Sequence, residues 1–335
     1  MPNWHRIIHQ TETQFDRAFA QRDEGDPLLI QSYLGYGVPG RAFVMGRVLE
    51  DRGVAEAEKG DSLWQNFKGA WKRFRSGEVP FAELSVFLDL PTGPHEQAIR
   101  TDEEGHLAQW LTLPDAPPDA DNLLTLGLEL TRPQRTPPVR GEASVLIPPA
   151  SAPFGVVSDI DDTVLQTGAT SVRSLAKQVL FGNAHTRLPF EGVAAFYAAL
   201  GAQGRPLFYV SSSPWNLYDV LVEFMELNDL PLGPIMLRDW GVSATELLPT
   251  SHGTHKQTAI RQILETYPRL PFILIGDSGQ EDPEIYAEVV RDFPGRILGI
   301  YIRDVSDAAR RESVQRLARE GAQDGSTYLR PRPTA

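Results

Sequence analysis

The chain has 335 residues, 41% of them hydrophobic, and a formal net charge of −12. It can bury a sizeable core in one large domain or two, and its acidity argues against nucleic-acid binding through a general positive field. It contains no cysteine, which excludes disulfides, thiolate metal sites and cysteine nucleophiles, and it shows neither a signal-peptide apolar region nor a run long enough to span a bilayer. The expected location is cytoplasmic, at most peripheral to a membrane.

Trp4, Ile7, Ile8, Phe15, Ala18 and Phe19 lie loosely at helical spacing. They predict an N-terminal helix within residues 1–24. Over residues 25–148 the pattern changes to short, partly alternating segments bounded by Gly, Pro and Asp, such as "RAFVMGRVLE", "AELSVFLDL", "NLLTLGLEL" and "VRGEASVLIPP". That pattern predicts an antiparallel β-sandwich domain. A helical insertion near residues 61–75 interrupts it. Leu63, Trp64, Phe67, Trp71 and Phe74 form its apolar stripe, flanked by Lys68, Lys72, Arg73 and Arg75. Such a helix suits a membrane surface, or else covers its own β-domain.

The proline-rich "PPASAPFG" places a domain boundary near residues 148–153. From 153 to 322 apolar strands ("FGVVSD", "PLFYVSS", "PIMLRD", "PFILIGD", "RILGIYIRD") alternate with amphipathic helices. This alternation predicts an α/β domain built on a parallel sheet. Residues 323–335 are expected to form a disordered tail.

In a parallel sheet, ligands bind at the carboxyl ends of the strands. The first of these strands ends in Asp159, Asp161, Asp162 and Thr163; the second in Ser211, Ser212 and Ser213; the fourth in Gly276, Asp277 and Ser278, with Asp282 shortly after. Lys256 opens the helix before the fourth strand. Carboxylates, a hydroxyl and one lysine are what phosphoryl transfer through an aspartyl-phosphate requires. A carboxylate attacks phosphorus, a second acid two residues on serves the leaving group and then water, and Ser and Lys stabilise the phosphoryl oxygens. Mg²⁺, a cation for hard oxygens, shields nucleophile from substrate. A bland alternative competes at each position: a solvated acidic turn at the aspartates, a helix cap at "SSSPW", an exposed helix lysine at 256 and a cap before Pro283 at Asp282.

"DIDDT", Ser211, Lys256 and "GDSGQED" resemble, in order and spacing, the four motifs of the haloacid dehalogenase superfamily. The wording "YVSSSPWNLYDVLVEF", "HKQTAI", "LIGDSGQEDPEIYAEVV" and "IYIRDV" is similar to the Mg²⁺-dependent phosphatidate phosphatases of the fungal actin-patch-protein type and their bacterial relatives. The resemblance covers about residues 154–305. It implies a haloacid dehalogenase-type Rossmann-like fold preceded by a β-rich domain. It further implies Asp159 as nucleophile, Asp161 as general acid/base, and Ser211 and Lys256 on the phosphoryl group. The expected Mg²⁺ ligands are Asp159, the backbone carbonyl of Asp161, and Asp277, with Asp282 as a direct ligand or the holder of a bound water. Thr163 and Ser212 are expected near the substrate.

From Val164 to Phe190 the sequence has no acidic residue and carries Arg173, Lys177, His185 and Arg187. Val172, Leu175, Ala176, Val179 and Leu180 form one apolar helical face. The family resemblance places a flap here. With Arg303 it could contact an anionic lipid headgroup, or its apolar face could simply pack on the core. The expected reaction is hydrolysis of phosphatidate to diacylglycerol and phosphate, with transient membrane contact. The rivals are a phosphatase of a soluble ester (sugar phosphate, nucleotide or phosphoprotein) and a non-catalytic binding module. No large cap insertion is evident, which favours an open site and a bulky substrate. The β-domain's protein partner is not indicated.

Overall fold

The structure is a computed structural model that describes residues 27–51, 77–161, 163–164, 192–238, 252–322 and 327–329. The expected N-terminal helix, the insertion at 61–75, Asp162 and the basic stretch carrying Arg173, Lys177 and Arg187 lie outside the described residues. The chain divides into two compact units, between Ile147 and Pro148 for the described part.

The first unit contains, among the described residues, strands β1 (Leu28–Val38), β2 (Arg41–Glu50), β3 (Glu83–Leu88), β4 (His95–Arg100), β5 (His106–Thr112), β6 (Leu123–Arg132) and β7 (Arg140–Leu146). They form one hydrogen-bonded sheet in the order β4-β3-β6-β7-β1-β2-β5. Every neighbouring pair is antiparallel except β1 with β7. The two edge strands, β4 and β5, are joined only by Thr101–Gly105. Laid flat, seven strands would separate the edges by about 29 Å, whereas the joining backbone reaches roughly 21 Å at most. The sheet must therefore roll. Its inner faces share one apolar cluster, in which Ile99 of β4 and Leu107 of β5 join Leu126, Val145 and Val44. The strands thus close over one core, as the expected sandwich would, but they form a single mixed sheet joined through the short parallel pairing of β1 with β7 at Gly35–Val145 and Tyr36–Leu146. Alternation cannot tell the two apart, because both bury every second side chain. β1 departs from strict alternation, because Tyr33 and Tyr36 on its other face are buried as well as Leu28 and Ile30.

The second unit contains β8 (Gly155–Ser158), α1 (Val193–Gly201), β9 (Leu207–Pro214), α2 (Tyr218–Leu227), β10 (Ile235–Arg238), α3 (His252–Thr266), β11 (Phe272–Asp277), α4 (Asp282–Asp292), β12 (Ile297–Arg303), α5 (Ala308–Ala322) and β13 (Thr327–Leu329). The sheet order is β10-β9-β8-β11-β12-β13, and every neighbouring pair is parallel. The strands are apolar runs because both faces are covered. Val156, Phe208, Tyr209, Leu274 and Ile300 are all buried. β13 falls within the tail expected to be disordered; it pairs with β12 from Gly299 to Tyr301, and a three-residue strand carries no periodicity to read. The chain moves from β8 through β9 to β10 on one side and from β11 through β12 to β13 on the other. The reversal lies between β8 and β11, where the carboxyl ends of such a sheet open a crevice.

Candidate active site

β8, β9 and β11 lie side by side, so their carboxyl ends bring Asp159, Asp161, Ser211 and Asp277 together, and α3 and α4 add Lys256 and Asp282. All six are buried, with Asp282 and Asp277 at 0% exposure and Lys256 at 3%. Buried charges of this kind persist only when paired or when they hold an ion.

Lys256 is the hub. Its Nζ lies 2.8 Å from Asp159 Oδ1 and 2.7 Å from Asp282 Oδ1. It also donates to Gln280 Oε1 at 3.4 Å. Asp282 Oδ2 accepts from the Asp277 backbone N–H at 3.1 Å, so both oxygens of Asp282 are engaged within the protein. This approach depends on Gly276, where a Cβ would meet Asp282 Oδ2 at 2.5 Å. Asp282 opens α4 with Pro283 in the first turn, and Glu281 holds the cap position, so the cap alternative for Asp282 does not hold.

Asp277 Oδ1 accepts from the N–H groups of Gly279 and Gln280 at 2.6 and 3.0 Å. Its Oδ2 is buried and has no hydrogen-bond partner among the described residues. Asp161 Oδ2 accepts from Ser211 Oγ at 2.8 Å and from Ser213 Oγ at 3.4 Å. Ser211 Oγ in turn accepts the Ser213 N–H at 3.0 Å. The alternative of Ser211 as a helix cap is corrected here: Ser211, Ser212 and Ser213 are the last stretch of β9, and Pro214 precedes the short 3-10 turn Trp215–Leu217. Thr163 Oγ1 donates to Asp159 Oδ2 at 3.4 Å. Ser212 is buried beside these groups. Arg303 ends β12 in register with Asp277.

The charge balance is negative. Burial pushes Asp159 well above the usual carboxylate range; Lys256 pulls it back, while Asp282, Asp161 and Asp277 push it up further. Burial likewise raises Asp277 to about 7, with Asp282 adding to the effect and Lys256 opposing it. Burial would lower the Lys256 ammonium, but the attraction of Asp159 and Asp282 outweighs that and holds it above the ordinary lysine value. Among the described residues, one ammonium set against Asp159, Asp161, Asp277 and Asp282 leaves room for further positive charge. Asp159, Asp277 and Asp282 each offer an oxygen within 4.8 Å of the others. Hard oxygen donors, an unpartnered buried carboxylate oxygen and excess negative charge fit a divalent cation of the Mg²⁺ kind. Of the expected ligands, Asp159 and Asp277 suit direct contact. Asp282, with both oxygens occupied, orients Lys256 and the Asp277 backbone. The carboxylate of Asp161 lies outside that three-residue cluster.

Two supports were not legible beforehand. Ser158 Oγ donates to the Asp159 carbonyl at 2.7 Å and shares a 2.6 Å hydrogen bond with Tyr197 OH. Tyr286 OH donates to the Ile275 carbonyl at 2.7 Å, which also accepts the Asp159 N–H at 2.8 Å. Tyrosines on amphipathic helices read as ordinary packing residues, and nothing in their spacing marks a hydroxyl aimed at a strand end.

Residues 154–304 match the family described as phosphatidate phosphatase APP1, catalytic domain. That match bears out the resemblance to phosphatidate phosphatases read from the motifs. The Saccharomyces cerevisiae phosphatidate phosphatase APP1 is 36% identical over 157 residues, 46% of this chain and 26% of that protein. An uncharacterized Schizosaccharomyces pombe protein is 33% identical over 155 residues, 45% of this chain and 25% of that protein. The chain thus covers about a quarter of the length of each of these curated relatives. Among solved structures, a chain of the Pnkp1/Rnl/Hen1 complex aligns with a TM-score of 0.34 at 13% identity, over 59% of this chain and 55% of that chain. A likeness of that size carries no argument.

Proposed function

We propose that this chain is an Mg²⁺-dependent phosphomonoesterase of the haloacid dehalogenase type that hydrolyses phosphatidate through an aspartyl-phosphate. The observation that carries the reading is the buried Asp159–Lys256–Asp282 chain beside the unpartnered oxygen of Asp277. It lies inside the segment that matches the phosphatidate phosphatase catalytic domain.

Asp159 is the nucleophile. Its carboxylate oxygen forms a bond to phosphorus while the bond from phosphorus to the ester oxygen breaks. Asp161, aimed by Ser211 at 2.8 Å, gives its proton to the departing alkoxide, which leaves as diacylglycerol. It then takes a proton from water as that water attacks phosphorus and releases Asp159 and inorganic phosphate. Lys256 holds Asp159 in place and offers a positive charge to the phosphoryl oxygens. Mg²⁺, held by Asp159, Asp277 and the Asp161 carbonyl, would neutralise the repulsion between carboxylate and phosphate. Arg303 and the basic stretch with Arg173, Lys177 and Arg187 are the groups for the lipid headgroup and an anionic membrane surface.

The test is phosphate release from phosphatidate vesicles, a sugar phosphate and a nucleotide, each with MgCl₂ and with EDTA. Release from phosphatidate well above the others, and only with Mg²⁺, is expected. Preference for a soluble ester would keep the chemistry and remove the lipid. Absence of release from every substrate would leave a binding module.

A further inference from the structure

We propose that Arg310, on α5 and outside the matched segment, is a positioning residue that fixes which oxygen of Asp277 is left to face the cation. The inference rests on the phosphatase reading above.

The two oxygens of Asp277 have different surroundings. Oδ1 is tied to the N–H groups of Gly279 and Gln280, and Oδ2 has no hydrogen-bond partner among the described residues. Those two N–H groups point inward because of how the loop Ser278–Glu281 is held. In a trans peptide the carbonyl of one residue and the N–H of the next point in opposite directions. Arg310 Nε donates to the Ser278 carbonyl at 3.0 Å, which turns the Gly279 N–H toward Asp277. Arg310 also donates from its terminal nitrogen to the Gln280 carbonyl at 2.6 Å. The guanidinium therefore pins the peptide planes on both sides of the one that supplies the Gln280 N–H.

Glu284, on the first turn of α4, holds Arg310 through both carboxylate oxygens, one of them at 2.7 Å. A second clamp runs in parallel: the Val305 N–H donates to Ser278 Oγ at 2.9 Å. The loop has little slack, since a Cβ on Gly279 would lie 3.0 Å from Asp277 Oδ1 and 3.1 Å from Val305 Cγ2. An ordinary surface ion pair would need only Glu284 and any cation. The two carbonyl contacts need the planar fork of donors that arginine has and lysine lacks.

The experiment uses the full chain, stripped with chelator, and follows thermal unfolding against MgCl₂. The wild type is compared with Arg310→Ala, Arg310→Lys and Arg261→Ala. The last loses a comparable helix ion pair, to Asp292, away from the loop. Groups that orient metal ligands typically change metal affinity by roughly 10–100-fold. The Mg²⁺ concentration for half of the thermal rise should therefore increase about 10-fold in Arg310→Ala. The increase should be smaller but measurable in Arg310→Lys, and Arg261→Ala should keep the wild-type midpoint. If the alanine variant does not fold, the lysine variant carries the test. Wild-type midpoints in the Arg310 variants, with a wild type that Mg²⁺ stabilises, overturn this inference alone. A wild type that neither gains stability from Mg²⁺ nor releases phosphate overturns the phosphatase reading and this inference with it.

Discussion

The two units spend their interiors differently. Among the described residues, the rolled sheet buries Arg47, Ser85 and Thr101 as its polar or charged side chains. The parallel-sheet unit buries Ser158, Asp159, Asp161, Thr163, Ser211, Ser212, Ser213, Lys256, Asp277, Ser278 and Asp282. Nearly all of these sit at the carboxyl ends of β8, β9 and β11 or at the start of the following helix. Apolar contact suffices to hold a fold, and buried polar groups oppose it unless fully paired. A unit that concentrates them at one rim gives up stability for chemistry there. Substitutions in the rolled sheet should then act on stability, and substitutions at the rim on activity and on ion response.

The largest break between the two is expected at Asp159. Asp159→Asn should lower phosphate release by roughly 10⁴-fold or more, as loss of a covalent nucleophile does, while circular dichroism shows the fold retained. Residual turnover near wild type would remove the covalent mechanism.

Next come two buried truncations, one in each unit. Lys256→Ala strands Asp159 and Asp282, both at 1% exposure or less, and unpairing a buried charge costs about 3–5 kcal/mol. Added Mg²⁺ should recover part of that loss. Leu126→Ala, at a fully buried site of the rolled sheet, should cost about 2–5 kcal/mol as a cavity, with no recovery from Mg²⁺. Denaturant unfolding with and without MgCl₂ separates the two, and equal responses would erase the distinction between rim and core.

A smaller effect is expected from pH. In the cation-free protein burial raises Asp277 to about 7, against roughly 3.9 for an unfolded aspartate. A carboxyl that binds its proton more tightly when folded favours the fold at low pH. That contribution fades as the pH rises from about 4 through about 7. The melting temperature of chelator-treated protein should therefore fall between pH 5 and pH 8, by roughly 2–4 °C for each kcal/mol lost. Mg²⁺ should flatten the slope, and so should Asp277→Asn. A slope unchanged in Asp277→Asn would assign the effect to other groups.

The smallest effect belongs to the outside of the rolled sheet. Arg140 pairs with Glu129 at 2.7 Å but is 74% exposed. Arg140→Ala should move stability by less than about 1 kcal/mol and leave phosphate release alone.

The rim was the more legible region in the sequence. Asp159, Asp161, Ser211, Lys256 and Asp277 each follow an apolar run or open a helix, and strand ends in a parallel sheet must converge. The pairings among them were less legible. That Asp282 spends both oxygens on Lys256 and the Asp277 N–H depends on the missing side chain at Gly276, which spacing does not reveal. Tyr197, Tyr286 and Arg310 reach the rim from helices whose patterns only say "amphipathic". In the rolled sheet the apolar alternation marked most strands, yet neither the single-sheet closure nor the parallel β1–β7 pair has a local signature. The closure follows from how far Thr101–Gly105 can reach and from which edges it joins.

The most direct test of the central claim is chemical trapping at Asp159. Borohydride reduces an acyl phosphate but not a free carboxylate, so protein quenched during turnover of phosphatidate with Mg²⁺ can be read by peptide mass spectrometry. The account predicts conversion of Asp159 to homoserine only when substrate is present, and at no other carboxylate of the rim. Turnover with Asp159 unmodified, or modification at Asp161 or Asp277 instead, would contradict it.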